Sequence, residues 1–213
     1  MNYYIDFEFA EGWASALLHK THHFIDLIQV GIVCSDGREY SALNSQYSYR
    51  RCNDWVREHV IKKLYWKYVS GDQRNRWDEH NFHQHYGKTE KEIADEILIF
   101  TSVSDLHSPS INFYGYYCDY DWVLLCTLYG NMVDLPKAWP MYCRDLKQML
   151  DERAEALPLN PGATLEDRIA HIRGVPGYPA TYMEHDALED ARWNKKLHEF
   201  LIRPTRTVKQ DGQ

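Results

Sequence analysis

Tyr3-Tyr4-Ile5-Asp6-Phe7-Glu8-Phe9 is the stretch of sequence that decides the fold. In an extended strand successive side chains point to opposite faces, so Asp6 and Glu8 share one face and the apolar side chains share the other. So apolar a strand is expected at the centre of a sheet, where ionised side chains are costly without a counter-charge such as bound metal. An exposed strand face is the alternative, because acidic side chains are usually solvated.

The first half of the chain predicts two more strands and two helices. An apolar run, the turn Ser35-Asp36-Gly37 and a second strand-like run predict an antiparallel hairpin. Thr89 and Glu92 have the spacing of a capping box at the start of a helix. The polar segment between the two helices is predicted to be a loop with little core of its own. The predicted ranges are strands 27–34 and 38–43 and helices 53–68 and 89–100.

The second half of the chain predicts a βα unit and three further helices. A strand over 111–117 leads into an apolar helix over 122–129, which Gly130-Asn131 ends. We therefore expect one α/β domain over 1–203, a mixed sheet flanked by helices, followed by a disordered tail over 204–213. The three further helices are predicted over 144–156, 164–172 and 187–201.

Composition and charge narrow the class of protein. The chain has 213 residues, 44% of them hydrophobic, which is enough for one sizeable core. The net charge of -7 argues against a protein that coats nucleic acid non-specifically, but not against an enzyme whose carboxylates bind cations. The five cysteines form no CxxC pair, so neither a zinc site nor a disulfide framework is indicated. Asp6 and Glu8 argue against a signal peptide, and no stretch approaches roughly 20 apolar residues, so we expect a cytoplasmic protein.

A second acidic motif, Asp119 and Asp121, lies where the strand over 111–117 runs into a helix. Either aspartate could simply cap the helix. At the carboxyl end of a strand, however, the same position faces the crevice where α/β sheets bind their ligands.

A third acidic motif is His185-Asp186-Ala187-Leu188-Glu189-Asp190. Asp186 and Glu189 have capping-box spacing, which places His185 just outside a helix and Asp190 one turn inside it. Asp190 is then held rigidly, whereas His185 lies on the preceding loop.

Together these motifs resemble the DEDDh exonuclease superfamily, whose members have an RNase H-like fold. Within it the chain is most similar to the RNase AS group, small exoribonucleases that trim adenylate-containing RNA tails. Tyr117 stands where many members of the superfamily carry Asn, and this departure bears on substrate preference more than on chemistry. The superfamily matches are Asp6-Phe7-Glu8, then Tyr120-Asp121 followed by Val123-Leu124-Leu125, then His185 with Asp190; the matches to the RNase AS group are the runs over 4–9, 26–33, 36–40 and 185–194.

The resemblance implies a two-metal-ion 3′-5′ exonuclease that uses Mg²⁺ or Mn²⁺, ions that hard oxygen ligands favour over zinc. Asp6 would bridge both ions. Glu8 and Asp190 would complete the site of the ion that activates water, and Asp121 would support the second ion. His185 would take the proton from the attacking water, a role that suits an imidazole near neutral pH.

The expected substrate is the 3′ end of single-stranded RNA, with adenylate-rich tails as one target and nucleoside monophosphates as products. Phe9, Tyr117 and Trp122 are the candidate substrate-binding residues, although aromatic side chains at such spacings more often belong to the core. A DNA 3′-5′ exonuclease and a catalytically silent nucleic-acid-binding module are the alternatives. The resemblance does not decide whether the chain forms a homodimer.

Two other features have competing interpretations. Basic residues between Arg50 and Lys67 either guide a phosphate backbone or form a solvated helix face. The second feature is a set of histidines, which form either a zinc site or solvated surface side chains. The zinc site is the less favoured interpretation, because no cysteine accompanies the histidines. Those histidines are His19, His22, His23, His80, His83 and His85.

Overall fold

The computed structural model describes residues 1–15, 21–102, 110–180 and 185–203. The tail over 204–213, predicted to be disordered, and His19 lie outside the described residues. Within them, no helix has both the length and the apolar character needed to cross a bilayer.

The sheet is mixed and has five strands among the described residues, in the order β3-β2-β1-β4-β5. The first three strands pair antiparallel, and β4 and β5 add to the other side of β1 in parallel. The predicted hairpin and the mixed sheet are therefore confirmed. The strands are β1 (Asn2–Ser15), β2 (Thr21–Cys34), β3 (Glu39–Leu43), β4 (Asn112–Gly115) and β5 (Arg144–Asp145).

Seven helices flank this sheet in the described part of the chain. The first, α1, spans 54–68 and contains a π-helical stretch over Arg57–Ile61. Thr89 forms the predicted capping box with Glu92, and Thr164 forms another with Asp167. The others are α2 (Phe82–Tyr86), α3 (Glu90–Thr101), α4 (Asp119–Leu128), α5 (Leu146–Glu155), α6 (Leu165–Arg173) and α7 (Ala187–Leu201).

The two faces of the sheet bury separate cores. The odd-numbered residues of β1, such as Ile5 and Phe7, pack with α3 and α4. On the other face Tyr4 packs with α5, α6 and α7. This arrangement of helices on both faces of a mixed sheet is an α/β fold consistent with the predicted RNase H-like class.

Two details differ from the sequence prediction. The segment between α1 and α3 is not a loop without core, because it contains α2, whose Phe82 is completely buried against Ile61 and Leu64 of α1. The prediction of one helix from residue 144 was also wrong at its start. Arg144 and Asp145 instead extend the sheet beside β4, and the Asp145 carboxylate then caps α5.

Candidate active site

The acidic side chains of β1 face helix α7. They alternate with Ile5 and Phe7, which are 0% and 4% exposed in the core on the opposite side of the sheet. Because β1 is the middle strand, Asp6 and Glu8 project from the centre of the sheet, not from an exposed edge. The predicted alternation of this strand is confirmed.

Helix α7 begins directly over Gly31, which pairs with Asp6 across β1 and β2. A Cβ atom at Gly31 would lie 2.1 Å from the Ala187 carbonyl oxygen, so the helix can approach this closely only over glycine. The Ala187 amide also donates a hydrogen bond to the side-chain oxygen of Gln29 at 3.1 Å. The start of α7 is thereby fixed above the acidic strand.

Asp190 lies one turn inside α7 and completes an acidic cluster with Asp6 and Glu8. One carboxylate oxygen from each of the three residues lies within 4.8 Å of the other two. Farther along the helix, Asn194 donates a hydrogen bond to the Ile5 carbonyl at 2.9 Å, which holds the helix on the strand. Three oxygen ligands this close form a site that suits a hard divalent cation.

Asp186 caps α7, as its spacing predicts. Its Oδ1 accepts hydrogen bonds from the amides of Leu188 and Glu189 at 3.2 and 3.4 Å. Its Oδ2 accepts from the Lys67 ammonium group on α1. The Glu189 carboxylate forms an ion pair with Arg192 and does not accept the hydrogen bond from the Asp186 amide that would complete a capping box.

Asp121 joins α4 to β1 at the edge of the acidic cluster. It is 6% exposed, and its Oδ1 accepts a hydrogen bond from the Phe7 amide at 2.6 Å. It is not one of the three residues whose oxygens lie within 4.8 Å of one another. Its negative charge nevertheless raises the pKa of both Asp6 and Glu8, so Asp121 is close enough to interact with both carboxylates.

The electrostatics of the cluster favour a cation. Burial, followed by the charges of Asp121, Glu8 and Asp190, raises the pKa of Asp6 well above its usual range. Burial and the charge of Asp190 raise the pKa of Glu8 to about 8, and Lys63 opposes this shift. Burial raises the pKa of Asp121 to about 7, although the Phe7 amide stabilises its charged form. Carboxylates in this state ionise readily once a divalent cation lies between them.

His185 lies just outside α7, as predicted, with a left-handed backbone φ of 70°. Its amide donates a hydrogen bond to Asp190 Oδ2 at 2.8 Å, so the acidic cluster itself orders the residue. Its ring makes an edge contact with Trp55 of α1 at 4.8 Å between centroids. These two rings, with Glu8 and Phe9, line a cleft of about 330 Å³ that we call the His185 cleft.

A second cleft, of about 750 Å³, borders Asp6 and Asp190, and we call it the Arg173 cleft. Arg173 ends α6, and a hydrogen bond to the Tyr178 side chain raises the pKa of its guanidinium group. Sequence reasoning missed Arg173 because only folding brings α6 beside β1. It also missed Trp55, although a tryptophan inside a basic helix was a usable signal.

The three predicted substrate-binding aromatic residues have different surroundings. Phe9 lines the His185 cleft and contacts Tyr120 edge to face at 5.4 Å. Tyr117 is 64% exposed at the end of β4 and has a φ of 54°, a conformation that is uncommon for a non-glycine residue. Trp122 is 8% exposed and packs against Phe113 in the core, because the apolar face of α4 covers the sheet there. Trp122 therefore contributes mainly to the core, and a contact between Trp122 and substrate stays a prediction.

The histidine set gives no support to a zinc site. Within the described residues, the one group of at least three ligand side chains close enough to hold a metal ion is Asp6, Glu8 and Asp190. The basic residues of α1, in contrast, do lie beside the acidic cluster. Lys67 contacts Asp186, and the charge of Lys63 acts on Glu8.

Comparison with known proteins finds two relatives that match most of the chain. Both are named 3′-5′ exoribonuclease, one from Mycobacterium tuberculosis strain CDC 1551 / Oshkosh and one from strain ATCC 25618 / H37Rv. Each is 29% identical to this chain over 193 residues, which cover 90% of this chain and 88% of the relative. No family model matches the sequence. Over nearly its whole length, the chain is thus similar to proteins that are named for trimming RNA from the 3′ end.

Proposed function

We propose that the protein is a 3′-5′ exoribonuclease that hydrolyses the ends of single-stranded RNA by a two-metal-ion mechanism and releases nucleoside monophosphates. The observation that carries this proposal is the acidic cluster, in which Asp6 and Glu8 of β1 and Asp190 of α7 present oxygens within 4.8 Å of one another. The similarity to proteins named as exoribonucleases supports RNA as the substrate.

The four carboxylates would divide the work of holding two Mg²⁺ or Mn²⁺ ions. Bound there, the cations would supply hydroxide near neutral pH and stabilise charge on the departing 3′ oxygen. Asp6, whose pKa the other three carboxylates raise, would help to hold both ions. Glu8 and Asp190 would hold one ion with it. Asp121, at the margin of the cluster, would support the other.

His185 would act as the general base. Its ring lines the same cleft as Glu8, and its backbone is held by Asp190. It therefore lies beside the proposed water-activating carboxylates without itself belonging to the acidic cluster. An imidazole whose ordinary pKa is about 6.5 can accept a proton from water at neutral pH.

The aromatic residues around the cluster would receive the end of the strand. Phe9 and Trp55 flank the His185 cleft, where a terminal base could stack. Tyr117 presents an exposed ring two residues after the carboxyl end of β4. A protein that contacts a 2′-hydroxyl can distinguish RNA from DNA at one site. We propose adenylate-rich ends as the preferred substrate because of the RNase AS resemblance.

A gel assay with 5′-labelled RNA and DNA oligonucleotides of matched sequence tests this proposal. In Mg²⁺, the RNA should shorten stepwise from its 3′ end, faster for an adenylate-rich end than for a uridylate-rich one, and EDTA should stop the reaction. Faster digestion of the DNA would favour a DNA 3′-5′ exonuclease. Binding of RNA without shortening would favour a catalytically silent binding module.

A further inference from the structure

A third pocket lies apart from the acidic cluster, and none of the four carboxylates lines it. It has a volume of about 490 Å³ and is formed by the segment before α1 together with α2. We call it the Tyr47 pocket. The lining residues used below are Tyr47, Tyr49, Arg50, His80, His83 and Gln84.

Two buried side chains that line the Tyr47 pocket each have one polar atom without a partner among the described residues. The rings of Tyr47 and His83 stack at 4.1 Å, and the residues are 4% and 3% exposed. The Tyr47 hydroxyl and His83 Nδ1 have no hydrogen-bond partner among the described residues. Burial lowers the pKa of His83, although a hydrogen bond to the Tyr47 backbone opposes this shift, so the ring is neutral near pH 7 and its Nδ1 is left for a ligand. Buried polar atoms of this kind normally have a partner, which points to a ligand with polar groups.

The rim of the pocket adds aromatic surface and a positive charge. The rings of Tyr49 and His80 lie 4.1 Å apart, and the side chains of Arg50 and Gln84 are exposed beside them. Aromatic faces stack on nucleobases, an arginine binds phosphate, and an amide can pair with a base edge. This combination fits one nucleotide unit better than it fits an inorganic anion, which would leave the aromatic surface unused.

The Tyr47 pocket is connected to the proposed active site through the start of α1. The Arg57 guanidinium group lies over the Tyr49 ring at 5.0 Å from its centroid. Two residues earlier on the same helix, Trp55 contacts His185 edge to face. A strand whose 3′ end lies in the His185 cleft could therefore continue along this helix toward the pocket.

We propose that the Tyr47 pocket binds a nucleotide unit of the RNA upstream of the 3′ end being cleaved. This inference rests on the proposed function. It predicts that RNA long enough to reach the pocket binds more tightly than a dinucleotide, and that this advantage depends on Arg50 and Gln84.

Fluorescence anisotropy in EDTA tests the pocket without cleavage. The probes are a labelled dinucleotide and a labelled RNA of about twelve nucleotides, within the range of known single-strand sites. The variant combines Arg50→Ala with Gln84→Ala, both at exposed positions, and Lys137→Ala is the control that removes one positive charge elsewhere. We expect the combined variant to lose about tenfold more affinity for the long RNA than for the dinucleotide, as for one lost charge-assisted contact. The control should match the wild type with both probes.

Equal losses for both probes, or unchanged affinity for the long RNA, would overturn the proposal. Calorimetry with AMP distinguishes a free nucleotide from RNA as the ligand. Binding of AMP that the combined variant loses, with long-RNA affinity unchanged, would assign the pocket to free mononucleotides and overturn the RNA assignment. Failure of the proposed function would look different, because the wild type would then show no metal-dependent trimming of any RNA.

Discussion

Replacing Glu8 by glutamine should stabilise the metal-free protein while removing its activity. Glu8 is 8% exposed, and burial beside Asp190 raises its pKa from 4.5 to about 8. Because the folded-state pKa is the higher one, its contribution to stability is fully present below about pH 4.5 and is lost as the pH rises toward 8. In the folded protein at pH 7 the group is therefore largely protonated, whereas in the unfolded chain it is ionised.

The size of this effect follows from the pKa difference. The interval between 4.5 and pH 7 is about 2.5 pH units, which at about 1.4 kcal/mol per unit corresponds to about 3 kcal/mol. Glutamine has a similar shape and no charge, so Glu8→Gln should raise the free energy of unfolding by that order at pH 7. For a chain of this size the melting temperature should rise by about 6–12 °C. At pH 5 the difference should fall below about 1 kcal/mol.

Thermal unfolding followed by circular dichroism, in EDTA and in Mn²⁺, measures this effect. The control is Glu11→Gln on the same strand, where the side chain is 45% exposed beside His23 and only a change within about 0.5 kcal/mol is expected. Mn²⁺ should raise the melting temperature of the wild type more than that of Glu8→Gln, because the cation replaces the protons. The reasoning is refuted if Glu8→Gln is no more stable than the wild type in EDTA at pH 7, or if Mn²⁺ stabilises both proteins equally.

Other substitutions separate the roles of the remaining residues. His185→Ala should keep the wild-type melting temperature and Mn²⁺ affinity and lower single-turnover RNA cleavage by about 10²–10⁴-fold, and cleavage at the wild-type rate would contradict its role as base. Asp190→Asn should weaken Mn²⁺ binding in calorimetry as well as the rate, because it removes a proposed ligand; unchanged Mn²⁺ affinity would exclude Asp190 from the metal site. Gly31→Ala should lower both stability and activity, because its Cβ would meet the Ala187 carbonyl at 2.1 Å. Gly162→Ala, whose Cβ would meet only the Asn160 side chain at 3.9 Å, should resemble the wild type in unfolding and cleavage.

Local patterns predicted the elements that position the proposed site. The alternation around Asp6 placed the acidic face of β1, and the motif that ends at Asp190 predicted the start of α7 as the structure has it. Capping at Thr89 was equally readable, because a capping box depends only on residues three positions apart. Each of these features is decided by neighbours in sequence.

Features that depend on tertiary contacts were not readable in the same way. Arg173 borders the acidic cluster only because α6 packs on the same face as α7. The short strand β5 forms because Arg144 and Asp145 meet β4, whereas their local sequence favours the following helix. The core contributed by Phe82 was missed because the polar residues around it suggested a loop.

The central claim is that the acidic cluster binds cations that contact the scissile phosphate. The most direct test is single-turnover cleavage of an RNA in which sulfur replaces one non-bridging oxygen at the last phosphodiester bond. Sulfur binds soft metal ions better than Mg²⁺. We predict that one diastereomer is cleaved much more slowly than unmodified RNA in Mg²⁺ and that Mn²⁺ restores much of the lost rate. Equal rates for modified and unmodified RNA in both metals, or full cleavage in EDTA, would contradict the claim.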